Sequence, residues 1–290
     1  MKEKNTVIGF IGTGVMGKSM AGNLLKAGYE VHVYTRSKEK AEELIGKGAK
    51  WAATPREIAQ QTNVIISMVG YPSDVEEIYL GEQGLIECSK EGTLLIDMTT
   101  STPSLAMKIA GEARKKGLEA LDAPVSGGDV GARDGNLTIM VGGDPAAFET
   151  VRPILECMGS NIVHQGPEGS GQHTKMCNQI AIASNMIGVT EAISYATRAG
   201  LDPEKVLQSI SSGSAGSWSL SNLVPRMVKG DFEPGFYIKH FIKDMKIALD
   251  EVEKMGWDAP GLTLSKSLYD GLAEAGEENS GTQALYKHYN

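Results

Sequence analysis

The chain has little that would pair, clamp a metal or span a membrane. Its three cysteines, Cys88, Cys157 and Cys177, stand far apart with no CxxC spacing. That pattern offers no disulfide framework and no cysteine metal site, and it suits a reducing compartment, of which the cytosol is the simplest. The five histidines, His32, His164, His173, His240 and His288, show no HxxxH spacing, so no metal is expected. Basic residues are outnumbered, 28 Lys and Arg against 36 Asp and Glu for a net charge of -8. Without a basic cluster free of matching acids, a nucleic-acid surface is excluded as an expectation. Long apolar runs are also missing. The most apolar stretch, 169–198, is interrupted by Asn178, Gln179, Asn185 and Glu191, so it does not read as a membrane span. Met1-Lys2-Glu3-Lys4-Asn5 carries no apolar signal segment and leads straight into a strand pattern. No repeat, low-complexity segment or long linker interrupts the rest.

What is present is an ordinary globular composition, 41% apolar and 22% charged, over 290 residues. That length predicts two domains. Thr6 to Ile11 is a short β-branched and aromatic run that reads as a buried strand. It ends in Gly12-Thr13-Gly14-Val15-Met16-Gly17, followed by a helical pattern with Met20, Leu24 and Leu25 on one side, and then by a second strand, Glu30 to Tyr34. In such a strand, glycine turn and helix, the first glycine permits the tight turn. The second lets the backbone approach a pyrophosphate, and the third lets the helix pack on the strand. The free N–H groups of the helix start then face the phosphates. The order points to a nicotinamide dinucleotide.

An acid after the second strand would bond both ribose hydroxyls and repel a 2′-phosphate. This chain has Thr35-Arg36-Ser37 there instead, a guanidinium fork flanked by hydroxyls. The expectation is NADP in preference to NAD; the other reading of Arg36 is a solvated residue at a helix start. Beyond it, strands read at 63–69, 93–97 and 118–122 alternate with helices read at 38–45, from Thr54-Pro55, at 73–80 and at 103–116. The alternation predicts an α/β fold, a Rossmann-type doubly wound and mostly parallel sheet. Ligands lie at the carboxyl ends of such strands, so Met68, Val69 and Thr100 are expected to line the cofactor crevice. Ser101 or Thr102 as a helix cap explains part of the same hydroxyl cluster.

Ala123-Pro124-Val125-Ser126-Gly127-Gly128 is a small-residue turn at the same edge. Its consecutive N–H groups and serine hydroxyl can form a concave anion site; a turn that only needs glycine dihedrals is the alternative. A turn and strand over 135–143, a helix over 145–158 and a strand over 161–164 follow. Then comes a long central helix, 169–198, apolar or small on every side, as a helix surrounded by other elements reads. It carries Lys175, Asn178 and Gln179 at i, i+3 and i+4, on one face. A buried lysine is costly unless paired or used. His173 sits two residues earlier, on a different side. From Thr190 onward only helical stretches appear, at 203–211, 218–228, 238–255 and 262–275. The domains expected are a dinucleotide-binding domain, 1–166, a long interdomain helix, 167–198, and an all-helical C-terminal domain, 199–290. Lys243-Asp244 lies in that last domain, either facing the crevice or as an exposed charged pair.

Gly9 to Gly17, Asp122 to Gly128, Gly169 to Asn178 and Lys243-Asp244-Met245 resemble, in that order, the signature segments of the β-hydroxyacid dehydrogenases. This is the family of 3-hydroxyisobutyrate dehydrogenase, tartronate semialdehyde reductase and the glyoxylate and succinic semialdehyde reductases. The resemblance covers essentially the whole chain. It implies that Lys175 is the catalytic lysine, that Ser126, Gly127 and Gly128 hold a substrate carboxylate, that Asn178 supports the lysine or substrate, and that Lys243 reaches the cofactor. It further implies a small hydroxy or aldehyde acid as substrate and a homodimer or homotetramer, for which the tail with Leu285, Tyr286 and Tyr289 offers a surface. The chain departs from the pattern at Gln179, where many members carry asparagine and where the longer amide is expected to bind the substrate from a displaced point, and at Gly281 to Leu285. Two other readings are a non-catalytic dinucleotide-binding scaffold, disfavoured by the buried lysine, and a larger phosphorylated sugar acid as substrate, as in the related 6-phosphogluconate dehydrogenases. The short C-terminal domain lacks a basic cluster for that phosphate.

Overall fold

The computed structural model describes residues 6–289; Met1–Asn5, read as leading into the first strand, and Asn290 lie outside the described residues. The chain forms two compact units, one up to Lys175 and one from Met176. In the first, strands β1 (Val7–Ile11), β2 (Glu30–Tyr34), β3 (Lys50–Trp51), β4 (Val64–Ser67), β5 (Leu94–Asp97) and β6 (Glu119–Asp122) run parallel in the order β3-β2-β1-β4-β5-β6. The sheet continues antiparallel through β8 (Leu137–Gly142), which pairs with β7 (Val125–Ser126) and, in parallel, with β9 (Gly159–Gly166). Alternate side chains go to opposite faces. Ile8, Phe10, Val64, Ile66, Ile96 and Leu121 enter one apolar cluster. Ile11, Ile65, Leu95 and Ala120 enter another. A sheet covered on both faces explains why its strands read as unbroken apolar runs.

The helices between strands start on sequence signals. α3 (Pro55–Gln61), α6 (Pro103–Lys115) and α8 (Pro145–Leu155) each place proline first, behind Thr54, Thr102 and Asp144, whose side-chain oxygens accept backbone N–H groups of the first turn. Proline also opens α4 (Pro72–Leu80). Thr102, rather than Ser101, is thus the cap of α6. The stretch 38–45 is a 3₁₀ turn, Lys38–Ala41, followed by a short helix α2 (Glu42–Gly46), rather than one helix. Sequence periodicity did not reveal β3, α5 (Leu85–Cys88), β7 or α7 (Gly128–Asp134), because two to seven residues span too little of a period to register. α1 covers Val15–Lys26 and packs Met20, Ala21 and Leu24 inward.

The long helix α9 runs Ser170–Arg198. From Met176 it buries Ala183, Met186, Val189, Ile193 and Ala196 on one side, whereas Tyr195 is 74% exposed on the other. Its apolar character all round therefore exceeds what this single chain covers. The second unit packs this inner stripe against α10 (Pro203–Ile210), α11 (Trp218–Asn222), α12 (Val224–Val228), α13 (Ile238–Lys254) and α14 (Pro260–Leu272). The stretch 218–228 breaks into two helices because Pro225 has no N–H to donate and so sits in the first turn of a new helix, α12. The tail folds back on its own unit. Leu285 is fully buried, Tyr269 donates to Thr282 O at 2.8 Å, and the last helix α15 (Tyr286–Tyr289) is held by Arg198 bonding Tyr289 O at 2.5 Å. Among the described residues no helix is long and apolar enough to cross a membrane.

Candidate active site

β1 delivers Gly12 into a turn where φ is +95°, which side chains rarely tolerate. A Cβ on Gly12 would lie 2.1 Å from Met68 O, and one on Gly17 would lie 1.9 Å from Gly12 O. A Cβ on Gly14 would meet nothing within 4 Å. The outer two glycines are thus needed by the protein's own packing, and the middle one opens onto free space, where a pyrophosphate fits. Thr13 lies between them, 3% exposed, and its Oγ1 has no hydrogen-bond partner among the described residues. A buried hydroxyl without a partner costs free energy unless a ligand satisfies it. Those two observations fit a dinucleotide. Met16 is half-buried and Val15 exposed on the first turn of α1.

The turn sits where the sheet order reverses, between β1 and β4, the usual ligand position in such sheets. Met68 N donates to Ile11 O at 2.8 Å, which keeps the end of β4 beside the turn, and Val69 N donates to Thr99 Oγ1 at 3.0 Å. Thr100 follows, half-buried. At the end of β2, Thr35 is half-buried and Arg36 and Ser37 are exposed. The Arg36 guanidinium donates to Asp74 on α4 and lies 3.8 Å from Glu77. The Asp74 carboxylate beside it holds the guanidinium more firmly in its charged form.

Beneath these loops lies a buried polar network. Ser67 donates to Asp97 Oδ1 at 2.8 Å, and since its one proton is used there, Tyr79 OH donates to Ser67 at 2.9 Å. Burial pushes the Asp97 carboxyl up to about 6, although the hydrogen bonds from Ser67 and Thr99 pull it back. Its register partner on β6, Asp122, is raised in the same way by burial. Asp122 accepts Gly169 N and Gln172 N at 2.8 Å each, so one carboxylate fills the orphan donors at the start of α9. Gln172 completes the tie by donating to Thr99 O at 2.8 Å and accepting Ser101 N at 2.9 Å. Gly171 allows that approach, since a Cβ there would lie 2.4 Å from Met140 O.

Lys175 follows three residues after Gln172, about one turn further along α9. It is 6% exposed, and its Nζ donates to Val125 O at 2.8 Å. Val125 directly precedes Ser126-Gly127-Gly128, and the two glycines take φ of +132° and +63°. The first unit therefore brings together the glycine turn, the loops after β4 and β5, the Ser126–Gly128 turn and Lys175.

The second unit holds Asn178, Gln179 and Lys243. Asn178 Nδ2 donates to Gln179 Oε1 at 2.7 Å, and Gln179 Nε2 donates to Asp244 Oδ2 at 2.6 Å. Lys243 Nζ is paired with Asp244 Oδ1 at 3.0 Å. The pair is buried, with 12% and 2% of the two side chains exposed, rather than a solvated surface pair. Burial and the neighbouring Lys243 ammonium push His240 on the same helix below the usual imidazole range. Sequence reading placed Asp97 at the crevice edge and Asp122 and Gln172 within signature segments, but gave none of the three a role of its own. The available signal was an Asp ending each of two adjacent strands, β5 and β6, a costly residue at a buried position. Among the described residues no three His, Cys, Asp or Glu side chains group as metal ligands.

Residues 7–166 match the family model for the NAD binding domain of 6-phosphogluconate dehydrogenase. Residues 169–289 match that for the NAD-binding domain of NADP-dependent 3-hydroxyisobutyrate dehydrogenase. The chain is similar to an uncharacterized oxidoreductase of Bacillus subtilis, 66% identical over 280 residues that cover 97% of both chains. It is 48% identical over 282 residues to a probable mitochondrial 3-hydroxyisobutyrate dehydrogenase-like protein of Arabidopsis thaliana, covering 97% of this chain and 84% of the relative. Among solved structures, 3-hydroxyisobutyrate dehydrogenase of Mycobacterium tuberculosis with L-serine superposes with a TM-score of 0.89 at 30% identity, over 98% of each chain. With a dinucleotide turn whose geometry fits its ligand and both family models matched along its length, the chain belongs to the 3-hydroxyisobutyrate dehydrogenase family of β-hydroxyacid dehydrogenases, NAD(P)-dependent oxidoreductases acting on hydroxy acids.

Proposed function

We propose that the chain is an NADP-dependent enzyme that interconverts a small 3-hydroxy acid and its aldehyde or keto acid, with Lys175 as general acid and base. One observation carries this reading. A buried lysine is held 2.8 Å from the carbonyl of Val125, the residue that leads directly into the Ser126-Gly127-Gly128 turn. A buried ammonium is costly unless it is used, and here it stands beside backbone N–H groups suited to a carboxylate. The nicotinamide, when bound, supplies or accepts the hydride. Lys175 gives its proton to the carbonyl oxygen on reduction and takes it back on oxidation. Ser126, Gly127 and Gly128 hold the carboxylate, Asn178 supports the substrate, and Lys243 reaches the cofactor. Gly12 to Gly17 carry the pyrophosphate, and Met68, Val69 and Thr100 line its crevice.

The substrate class is supported by the 3-hydroxyisobutyrate dehydrogenase-like relative and by the L-serine, itself a 3-hydroxy acid, that accompanies the similar Mycobacterium tuberculosis enzyme. The preference for NADP rests on Thr35-Arg36-Ser37 and on the lack of a carboxylate at the end of β2. The ion pair of Arg36 with Asp74 lies at the surface, and exposed pairs are worth at most about 1 kcal/mol, so a 2′-phosphate can compete for the guanidinium. Three free cysteines support a cytoplasmic location. A homodimer or homotetramer is supported by the uncovered face of α9 and measurable by light scattering.

The test is a steady-state panel with NADPH and NADH against methylmalonate, tartronate and succinic semialdehydes and glyoxylate. Wild type is expected to reduce at least one with NADPH. Lys175→Ala is expected to lower kcat by about 10²- to 10⁴-fold while dinucleotide binding is kept. Undiminished turnover by the variant would remove Lys175 from the reaction. Dinucleotide binding without turnover by wild type would favour the scaffold reading.

A further inference from the structure

Asp244 sits on α13 with 1% of its surface exposed, and its carboxylate meets the side chain of Gln179 on α9. A carboxylate can only accept hydrogen bonds. Gln179 must therefore turn its NH₂ toward Asp244, and the 2.6 Å contact is of that kind. Its carbonyl oxygen then faces Asn178, where an oxygen can again only accept. Asn178 in turn must present its NH₂, as it does at 2.7 Å. The direction of the first bond thus propagates through two amides. At the end of the chain Asn178, half-buried, is left with Oδ1 directed away from Gln179 and bonded to no protein group among the described residues.

Either amide taken alone has no preferred direction, because its oxygen and nitrogen ends are of equal size. The buried acid removes that freedom. Lys243 Nζ lies 3.0 Å from the other carboxylate oxygen, so both oxygens of Asp244 face donors. We infer that Asp244 is a positioning residue. It acts through Gln179 to make Asn178 present an acceptor oxygen to the substrate, and so selects an acid that brings a hydroxyl or ammonium donor. Gln179 serves as the relay rather than as a second substrate contact. The inference rests on the proposed function above, in which Asn178 faces the substrate.

The experiment compares 3-hydroxyisobutyrate with isobutyrate, which has the same carbon skeleton and no hydroxyl, on wild type, Gln179→Met and Asp244→Asn. Gln179→Met cuts the relay and keeps the Lys243–Asp244 pair. Each variant is expected to raise the KM for 3-hydroxyisobutyrate about tenfold, the loss of one oriented hydrogen bond, with kcat changed much less. The inhibition constant of isobutyrate should stay within about twofold. For Gln179→Met the NADP dissociation constant, followed by fluorescence, should also be unchanged. Equal weakening of both acids, or of neither, would overturn the inference.

The side-chain amide NMR signals of Asn178 and Gln179 are recorded on the same proteins. Both should move in Asp244→Asn, where the amides regain their second direction. Should wild type turn over no hydroxy acid, the underlying reading fails, and these signals decide the relay alone: Gln179 signals unmoved by Asp244→Asn overturn it.

Discussion

Lys175 and Gln179 lie one turn apart on a single helix, yet each is held by a different kind of partner. The Lys175 side chain is fixed by a backbone carbonyl, Val125 O, on a helix start whose N–H groups the Asp122 carboxylate accepts and which Gln172 ties to Thr99 O and Ser101 N. Gln179 is fixed by two other side chains, Asn178 and Asp244, the second of them 65 positions away. A backbone oxygen is present whatever the sequence. A side-chain partner has to be specified separately. The sheet unit therefore holds its lysine on a main-chain oxygen, with glycines that keep out of the way and Asp122 and Gln172 anchoring the helix start, whereas the helical unit holds Gln179 only through side chains chosen together.

The comparison breaks first at the glycines. Gly12→Ala puts a Cβ 2.1 Å from Met68 O at a φ of +95°, so a loss of at least about 3 kcal/mol is expected, read as a fall in Tm together with lost dinucleotide binding. Gly14→Ala, with open space around it, should cost under about 1 kcal/mol in stability while weakening dinucleotide binding. A Gly14→Ala protein that binds NADPH like wild type would mean that the open side of the turn is not where the pyrophosphate lies.

A second, smaller effect tests the buried acids. Asp97 has a folded-state value of about 6, above its value in the unfolded chain. Between about pH 4 and 6 the unfolded chain therefore loses this proton first. The contribution of Asp97 is fully present below pH 4 and is lost as pH rises through 6. Asp97→Asn keeps an acceptor for Ser67 and Thr99 N and removes the titration. Its stability relative to wild type should rise by on the order of 2 kcal/mol from pH 4 to 7, measured by urea unfolding. A difference that does not change with pH would mean that the Asp97 carboxylate is not desolvated.

These elements also differ in how far the sequence revealed them. Gly12, Gly14 and Gly17 were legible because a turn of this kind has a fixed local spacing. Lys175 was legible because a charge in an apolar helix stands out. Asp122, Gln172 and Asp97 were not, since what they do depends on which strands become neighbours, and that order is a tertiary fact. The stretch 218–228 read as one helix because its apolar spacing continues across Pro225. The outward face of α9 read as interior because composition cannot tell a surface covered by this chain from one that this chain leaves open.

The smallest expected effect is at Arg36, the one proposed cofactor contact in the sheet unit made by a long exposed side chain. Arg36→Met should weaken NADPH binding about tenfold and leave NADH binding unchanged, the difference being one charged fork to a phosphate. Loss of its surface pair with Asp74 should shift stability by less than about 1 kcal/mol. Equal weakening of both dinucleotides would show that Arg36 does not read the 2′-phosphate.

The prolines that begin helices bear on a state in which none of these contacts exists. Pro55, Pro72, Pro103 and Pro145 in the sheet unit and Pro203 and Pro260 in the helical unit all stand at the head of a helix. There the missing N–H costs nothing, because the first turn has no acceptor to offer it. Each ring also narrows the conformations open to the chain before it folds, an effect of about 0.4–1 kcal/mol where the native backbone suits proline. Thermal tolerance in this protein is thus partly a property of the disordered chain, set at six punctuation points by the proline ring alone.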